Sequence, residues 1–428
     1  MFRFTDLIIF RMTRDCNLNC KYCFMQNKAD YKGEIINLDM LKKIIIQITN
    51  QRLINRMEQK SLQLVLHGGE VLLLGVEKLR DILEFITMYF SNNLINFSLA
   101  CQTNATLLTD EITKLLVKYN VNIGLSFDGI GESNSSRTSI KQEIFEKKFD
   151  MLKENKARYG FLIVASKQNV DTMQQTQEYL ENLGLDDAIK SDNLVKGYKI
   201  NYAEDMINPG INSEIEISGH KMFEKVWKPE LNRFLNRKKS IEHHTNELLE
   251  KTLIDILSKH TNEIKSGCST KWCGAGICMI AIEPDGEMDF CDRYSKKFED
   301  VYIQHALDYD FLGINQLKRV LEYNIMKKGL YEKHKCDYCK ADYICDHGCE
   351  SFYRSKYGNY GIDTRLICDQ HIEFYEYIEN NLYDFLMVFL ENNIPIKTKD
   401  YIEKLVYPEF DTIQMELIDH TKIFIRRK

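Results

Sequence analysis

Three cysteines stand close together near the N-terminus, in the stretch Cys16-Asn17-Leu18-Asn19-Cys20-Lys21-Tyr22-Cys23-Phe24. Their C-x3-C-x2-C spacing lets three thiolates bind three irons of a [4Fe–4S] cluster and leaves the fourth iron without a protein ligand. An iron with an open position can bind a substrate or a second cofactor. The apolar run 7–10 before the cysteines is typical of a strand, and barrel enzymes place their chemistry on the loops that follow strands.

The composition is that of a globular protein, with 428 residues, 44% apolar and 28% charged. This length allows two or three domains. A net charge of −6 without a long basic block argues against a nucleic-acid partner. Charged residues interrupt the first fifteen positions, and apolar runs such as 161–165 are too short to span a bilayer. We therefore expect a cytoplasmic protein without membrane contact.

The N-terminal half alternates short apolar runs with amphipathic helical patterns. Such alternation predicts an α/β fold with a parallel sheet and right-handed crossovers. A partial barrel and an open doubly wound sheet would both give this pattern. The predicted strands are 5–11, 62–67, 96–101, 121–127, 159–165 and 196–203, and the predicted helices are 37–55, 76–93, 108–119, 139–154 and 170–183.

The thirteen cysteines fall into two groups, which indicates two metal-bearing modules. Three lie within the first 23 residues, Cys101 stands alone, and nine lie between Cys268 and Cys368. In a long cytosolic chain such groups are more typical of metal binding than of disulfides.

Three further motifs each stand at the end of a predicted strand: His67-Gly68-Gly69-Glu70, Gln102-Thr103-Asn104 and Ser126-Phe127-Asp128-Gly129. With the cysteine stretch, they resemble the radical S-adenosylmethionine (SAM) superfamily, and in particular its sulfatase-maturase-like members. The resemblance implies a partial (β/α)6 barrel whose open iron binds SAM, and a 5′-deoxyadenosyl radical that takes a hydrogen atom from the substrate. A zinc knuckle or a scatter of thiols without a metal is the alternative for the three cysteines alone.

The resemblance also assigns roles to single residues. Gln102 and Asp128 would face the substrate. A polar turn that caps the next helix is the alternative for Gln102-Thr103-Asn104, and a surface charge is the alternative for Arg137. SAM binding is assigned to Gly68, Gly69, Glu70, Asn104, Ser126 and Arg137.

The later cysteines resemble the SPASM domain, which carries two auxiliary [4Fe–4S] clusters. Whether Cys268 or Cys278 is the second ligand of the first cluster stays open, although the spacing favours Cys278, and a zinc ribbon is the alternative for each set. By resemblance, Cys273, Cys278, Cys291 and Cys349 hold one auxiliary cluster, and Cys336, Cys339, Cys345 and Cys368 hold the other.

Asp292 directly follows Cys291. In sulfatase maturases an Asp at this position accepts a proton as the substrate radical is oxidised, so the resemblance makes Asp292 a catalytic residue. An exposed loop acid is the alternative.

The sequence divides into four predicted parts. The radical SAM barrel is followed by a polar bridging segment, whose His243-His244 pair we assign to a solvated helix face. The cysteine-rich SPASM part comes next, and then a helix at 371–392 and a tail. The predicted ranges are 1–214, 215–265, 266–371 and 372–428.

The resemblance implies an enzyme that modifies peptides or proteins. The first interpretation is a maturase that installs a thioether or carbon–carbon cross-link in a ribosomally made precursor peptide, while auxiliary clusters relay an electron. The second is an anaerobic sulfatase maturase that oxidises a Cys or Ser to formylglycine; we place it second because segment 215–262 and the tail exceed the compact plan of that family. A non-catalytic iron–sulfur electron carrier is the third. We expect a flavodoxin- or ferredoxin-type protein as the reductant. We also expect that a separate protein or the cysteine-rich face of this chain recognises the leader segment of the precursor peptide.

Overall fold

The structure, a computed structural model, describes most of the N-terminal half and shorter parts of the C-terminal half. The predicted ligands Cys273, Cys345 and Cys349, together with Cys268 and the pair His243-His244, lie outside the described residues. The described residues are 5–23, 25, 33–137, 141–183, 195–203, 213–236, 274–292, 305–309, 311, 332, 336–341 and 365–391.

One eight-stranded sheet forms the centre of the described part, in the order β6-β5-β4-β3-β2-β1-β7-β8. Strands β1 to β7 pair in parallel, and β8 pairs antiparallel to β7. The strands are β1 Leu7–Arg11, β2 Leu62–His67, β3 Phe97–Thr103, β4 Val121–Ser126, β5 Tyr159–Ala165, β6 Val195–Tyr202, β7 Met279–Ile282 and β8 Met288–Asp289.

Helices connect the parallel strands, and further helices follow in the C-terminal half. A π-helical turn, Phe223–Trp227, joins α6 to α7. The helices are α1 Leu38–Ile54, α2 Gly75–Asn92, α3 Asp110–Lys118, α4 Gln142–Glu154, α5 Met173–Asn182, α6 Gly219–Met222, α7 Lys228–Leu235, α8 Arg365–Asn380 and α9 Leu382–Glu391.

Local signals in the sequence explain where these helices begin. The side chain of Asn37 accepts hydrogen bonds from the amides of Asp39 and Met40 at 2.9 and 3.1 Å, which caps α1, and Thr109 caps α3 in the same way. The predicted strands and the five N-terminal helices are confirmed, with ends within three residues of the observed ones. The prediction of one helix at 371–392 was wrong, because the chain forms α8 and α9 with a break at Asn381.

The two faces of the sheet bury different sets of side chains. Ile8 and Leu64 point to the large core shared with the helices, whereas Ile9, Val65 and Ala281 belong to a small inner cluster. One cavity is lined by residues at the ends of β2 to β6, the place where the predicted partial barrel has its active site.

The C-terminal half contributes to the same sheet. Strand β7 pairs with β1 in the register Leu7↔Met279, and the carbonyl of Cys278 accepts the amides of Asp6 and Leu7 at 2.9 and 3.0 Å. The sheet therefore includes residues from both the predicted barrel and the predicted cysteine-rich part. Among the described helices, none is long and apolar enough to cross a membrane.

Candidate active site

The three N-terminal cysteines follow β1 and line the cavity together. Cys16 is exposed, Cys20 is buried and Cys23 is partly buried. Burial raises the pKa of Cys16 and raises that of Cys20 to about 12. Metals bind thiolates, so Cys16 and Cys20 need the positive charge of a metal centre to become ligands at neutral pH.

The donor set fits a cluster better than a single ion. Within the described part of the chain, no three His, Cys, Asp or Glu side chains are grouped as ligands of one metal ion. Three thiols that each bind a different iron of a [4Fe–4S] cluster do not need to meet at one point.

The Gly-Gly loop after β2 packs directly on the backbone that leads into the cysteines. The amide of Gly69 donates to the carbonyl of Thr13 and the amide of Glu70 donates to the carbonyl of Asp15, both at 2.8 Å. A Cβ atom at Gly68 would lie 2.3 Å from the Thr13 oxygen, and one at Gly69 would lie 2.1 Å from the Asp15 oxygen. Both glycines are therefore required for this close approach, and Gly68 also has φ +140°.

Glu70 is committed to contacts within the chain. Its carboxylate is only 1% exposed and accepts hydrogen bonds from the amide of Leu72 at 3.0 Å, the hydroxyl of Thr103 at 2.7 Å and the amide of Asn104 at 2.7 Å. Burial raises the pKa of Glu70, while these hydrogen bonds oppose the rise. Glu70 is not among the described residues that line the cavity. Its carboxylate instead joins the loop after β2 to the end of β3.

Polar side chains at the ends of β3 and β4 line the cavity. The amide of Gln102 donates to the hydroxyl of Ser126 at 2.7 Å. The Nδ2 atom of Asn104 lies 3.8 Å from the sulfur of Cys16 and donates to the side chain of Asn17 at 2.9 Å. The structure thus brings Gln102, Asn104 and Ser126 next to the cysteine loop.

Tyr22, Asp128 and Arg137 form a second link to the cysteine loop. The hydroxyl of Tyr22 donates to the carboxylate of Asp128 and accepts from Nη1 of Arg137 at 3.3 Å. Asp128 is 1% exposed and also accepts the amide of Val164 at 2.9 Å. Asp128 is absent from the described lining of the cavity, in which Tyr22 and Arg137 take part.

Arg137 fits an anionic group of a bound cofactor. Its Nε atom is buried and has no hydrogen-bond partner within the described residues, and its side chain lines the cavity. Its carbonyl accepts the thiol of Cys20 at 3.6 Å and its Nη1 donates to the hydroxyl of Tyr22 at 3.3 Å, so Arg137 lies beside the cysteine loop. A carboxylate such as that of SAM would supply the missing partner.

A buried charge cluster holds Asp292 at the cavity. The guanidinium of Arg11 is fully buried and pairs with Asp289 at 2.7 Å and with Glu283, and it also donates to the backbone carbonyl of Asp292. Arg14 donates to Glu283 at 2.9 Å. The partly buried side chain of Asp292 lines the cavity, which places it on the same space as the cysteines.

Two of the C-terminal cysteines flank the β7–β8 hairpin. Cys278 and Cys291 are 1% and 6% exposed, and Cys291 packs in the inner cluster of the sheet. Cys336 is buried and Cys339 is partly buried, and the amide of Cys339 donates to the carbonyl of Cys336 at 2.8 Å. Cys368 lies in α8. Because the other predicted ligands lie outside the described residues, both four-cysteine sets stay predictions.

Sequence reasoning missed part of the lining. His67, Leu162, Val164, Asn201 and Ala203 all face the cavity from β2, β5, β6 or just beyond. The signal that could have found them is the alternation of strands, because every second residue near the carboxyl end of a barrel strand points inward.

The chain is similar to known proteins along most of its length. The Radical SAM superfamily model matches residues 10–180. A cysteine-type anaerobic sulfatase-maturating enzyme from Clostridium novyi is 25% identical over 386 residues, which cover 87% of this chain and 94% of that protein. The radical SAM cyclopropyl synthase TigE from Paramaledivibacter caminithermalis is 24% identical over 381 residues, which cover 84% of this chain and 70% of that protein.

The fold is shared with a solved maturase structure. Native anSMEcpe with bound AdoMet (SAM) and the Cp18Cys peptide superposes with a TM-score of 0.66 at 21% identity, over 91% of this chain and 99% of that one. The match of the superfamily model covers the cysteine loop, the Gly-Gly loop and Arg137, which the structure gathers around one cavity. Residues 10–180 therefore match the Radical SAM superfamily, and most of the chain is similar to anaerobic sulfatase-maturating enzymes.

Proposed function

We propose that the protein oxidises one residue of a peptide or protein substrate, and that conversion of a Cys or Ser to formylglycine is the first candidate. The observation that carries this proposal is the presence of Asp292 in the same cavity as Cys16, Cys20 and Cys23. A carboxylate and the cysteine loop then face one substrate space. The Clostridium novyi relative, which matches over 94% of its length, is a cysteine-type sulfatase-maturating enzyme.

The residues of the cavity have different roles in the proposed reaction. When bound at the three cysteines, a [4Fe–4S] cluster and SAM supply a 5′-deoxyadenosyl radical that takes one hydrogen atom from the substrate. Arg137 pairs with the carboxylate of SAM, and Asn104 holds the cysteine loop through Asn17. Asp292 accepts the proton that the substrate gives up with its second electron.

The balance for a cysteine substrate is a two-electron oxidation. The Cβ carbon loses a hydrogen atom, the thiol loses a proton to Asp292, and one electron passes to the cysteine-rich part of the chain. The product is a thioaldehyde, which water converts to the aldehyde with release of hydrogen sulfide. The proposal also includes two closed auxiliary clusters, held by the two cysteine sets predicted above. A flavodoxin- or ferredoxin-type protein in the cytoplasm would serve as the reductant.

Cross-linking of a ribosomally made precursor peptide is the second candidate. It is supported by the similarity to the cyclopropyl synthase TigE over 84% of this chain. The sequence placed this candidate first because segment 215–262 and the tail exceed a compact maturase. Since 87% of the chain matches a sulfatase-maturating enzyme, that reason no longer separates the two.

The test uses reconstituted protein under anaerobic conditions with reductant, SAM and the Cp18Cys peptide, beside versions of the peptide with Ser or Ala in place of the Cys. Formation of 5′-deoxyadenosine with an aldehyde detected on the Cys peptide, and none on the Ala peptide, supports formylglycine formation. Cleavage of SAM without an aldehyde directs the search to precursor peptides. Absence of 5′-deoxyadenosine under all conditions contradicts both candidates.

A further inference from the structure

His67 lies in the cavity but belongs to none of the roles assigned so far. It is the last residue of β2 and has the same parity as Val65, which belongs to the inner cluster of the sheet. Its imidazole is partly buried and lines the cavity together with the cysteine loop and Asp292. The residue therefore faces the space in which substrate and cofactor meet.

A hydrogen bond to the imidazole ring fixes the tautomer of His67. Nδ1 of His67 accepts the amide of Gly68 at 2.8 Å. In a neutral imidazole one nitrogen accepts and the other carries the hydrogen, so the hydrogen is on Nε2. Burial lowers the pKa of His67, which keeps the ring neutral near pH 7.

The Nε2–H group is available to a ligand. Within the described residues, no protein group pairs with Nε2, and this atom is not among the buried side-chain atoms that lack a partner. It is therefore accessible from the cavity. Arg137, at the cysteine loop, supplies the cationic group for a cofactor, and Asp292 supplies an acceptor, so His67 adds a neutral donor.

A neutral donor suits an uncharged oxygen. The acceptor that every peptide substrate offers, whatever its side chain, is a backbone carbonyl oxygen. A thiol sulfur is a weaker acceptor, and the charged groups of SAM call for the guanidinium rather than for an imidazole.

We propose that His67 is a positioning residue that donates its Nε2–H to a backbone carbonyl oxygen of the peptide substrate and so turns the reacting carbon toward the cysteine loop. This inference rests on the proposed function, because it requires a peptide in the cavity. It assigns His67 to the substrate and leaves cofactor binding to Arg137 and the cysteines.

The test compares His67→Leu, which loses the donor, with His67→Gln, which keeps one, and with the control His220→Leu, whose side chain is exposed on α6. Binding of the Cp18Cys peptide and of SAM to the reconstituted proteins is measured anaerobically, together with 5′-deoxyadenosine formed per modified peptide. We expect His67→Leu to weaken peptide binding about tenfold, as for the loss of one hydrogen bond, and to raise 5′-deoxyadenosine per product. SAM affinity and iron content stay unchanged, and His67→Gln restores most of the peptide affinity.

Two outcomes overturn the proposal. If His67→Leu weakens SAM binding and leaves peptide binding unchanged, the imidazole serves the cofactor. If iron, SAM and peptide binding fall together and His67→Gln does not restore them, the role is structural.

A second measurement does not depend on the substrate. Nitrogen NMR of 15N-histidine-labelled protein resolves the ten histidines, and His67 is assigned by its loss in His67→Gln. We expect a neutral ring with the hydrogen on Nε2, and a hydrogen on Nδ1 would refute the inference. If the wild type binds no peptide, the proposed function fails for that substrate. The tautomer measurement still shows whether His67 presents an Nε2–H donor.

Discussion

The hydroxyl of Tyr22, inside the cysteine stretch, donates a hydrogen bond to the carboxylate of Asp128, which follows β4. The same oxygen accepts from Arg137, so one phenol holds a buried acid and the guanidinium that faces the cavity. The contact orients Arg137 without making either residue a ligand of iron.

Replacement of Tyr22 by Phe should therefore affect SAM binding more than cluster assembly. Loss of the hydroxyl frees Arg137 and removes one donor from buried Asp128, so we expect SAM affinity to fall about tenfold, with iron content unchanged. Anaerobic SAM binding and iron counting measure the two effects. The control is Tyr119→Phe, at the end of α3, for which both should equal wild type. Unchanged SAM affinity in Tyr22→Phe would show that Arg137 needs no such support.

Replacement of Gly69 by Ala should disturb the cysteine loop. The added Cβ would lie 2.1 Å from the carbonyl of Asp15, so the backbone before Cys16 must move. We expect iron content to fall by about four atoms per chain, which is one cluster. The control is Gly75→Ala, which strains a backbone with φ +74° but meets no atom within 4 Å. It should lower stability and keep all the iron, and full iron in Gly69→Ala would contradict this account.

Replacement of Arg11 by Met should destabilise the fold strongly. It removes the cation that the buried carboxylates of Glu283 and Asp289 share, while Glu283 keeps Arg14, and loss of one partner of a buried ion pair costs about 3–5 kcal/mol. Anaerobic urea unfolding measures the loss, and Asp289→Asn in the Met variant should recover part of it.

The matched control for Arg11 is Arg80→Met on the surface of α2, where the pair with Glu77 is exposed. Its unfolding curve should overlay that of the wild type. If Arg11→Met unfolds at the same urea concentration as Arg80→Met, the buried cluster is not what holds β7 to β1.

Iron counting tests the number of clusters. We expect about twelve irons per chain in the wild type and about eight in the combined variant Cys16→Ala, Cys20→Ala and Cys23→Ala. About four in the wild type and none in the variant would mean that the C-terminal cysteines hold no clusters, and the electron relay would have to be abandoned.

The order of motifs along the chain was sufficient to predict most of the cavity. The cysteines, the Gly-Gly loop, Gln102-Thr103-Asn104 and Ser126 each stand at or just beyond the end of a parallel strand, and parallel strands end at the same edge of a sheet. To predict that these motifs lie together, it is therefore enough to recognise the strands. The alternation of apolar runs with helical patterns is clear enough to identify them.

The direction of single side chains could not be predicted in the same way. Glu70 and Asp128 stand in the expected loops, yet both carboxylates are buried in hydrogen bonds to the chain rather than placed in the cavity lining. The pairing of β7 with β1 was also beyond the sequence, because it depends on a contact between distant segments that no local pattern encodes. The break between α8 and α9 was missed because both helices continue one apolar pattern.

The pairing of β7 with β1 has a practical meaning for any fragment of this protein. A chain shortened to residues 1–214 would leave the Leu7–Arg11 strand with unpaired amides and carbonyls along one side, and would strip Arg11 of both its acids. Open strand edges recruit other chains, so such a fragment should aggregate rather than behave as a free-standing barrel. The N-terminal strand is in this sense completed only when the chain has been made as far as β7.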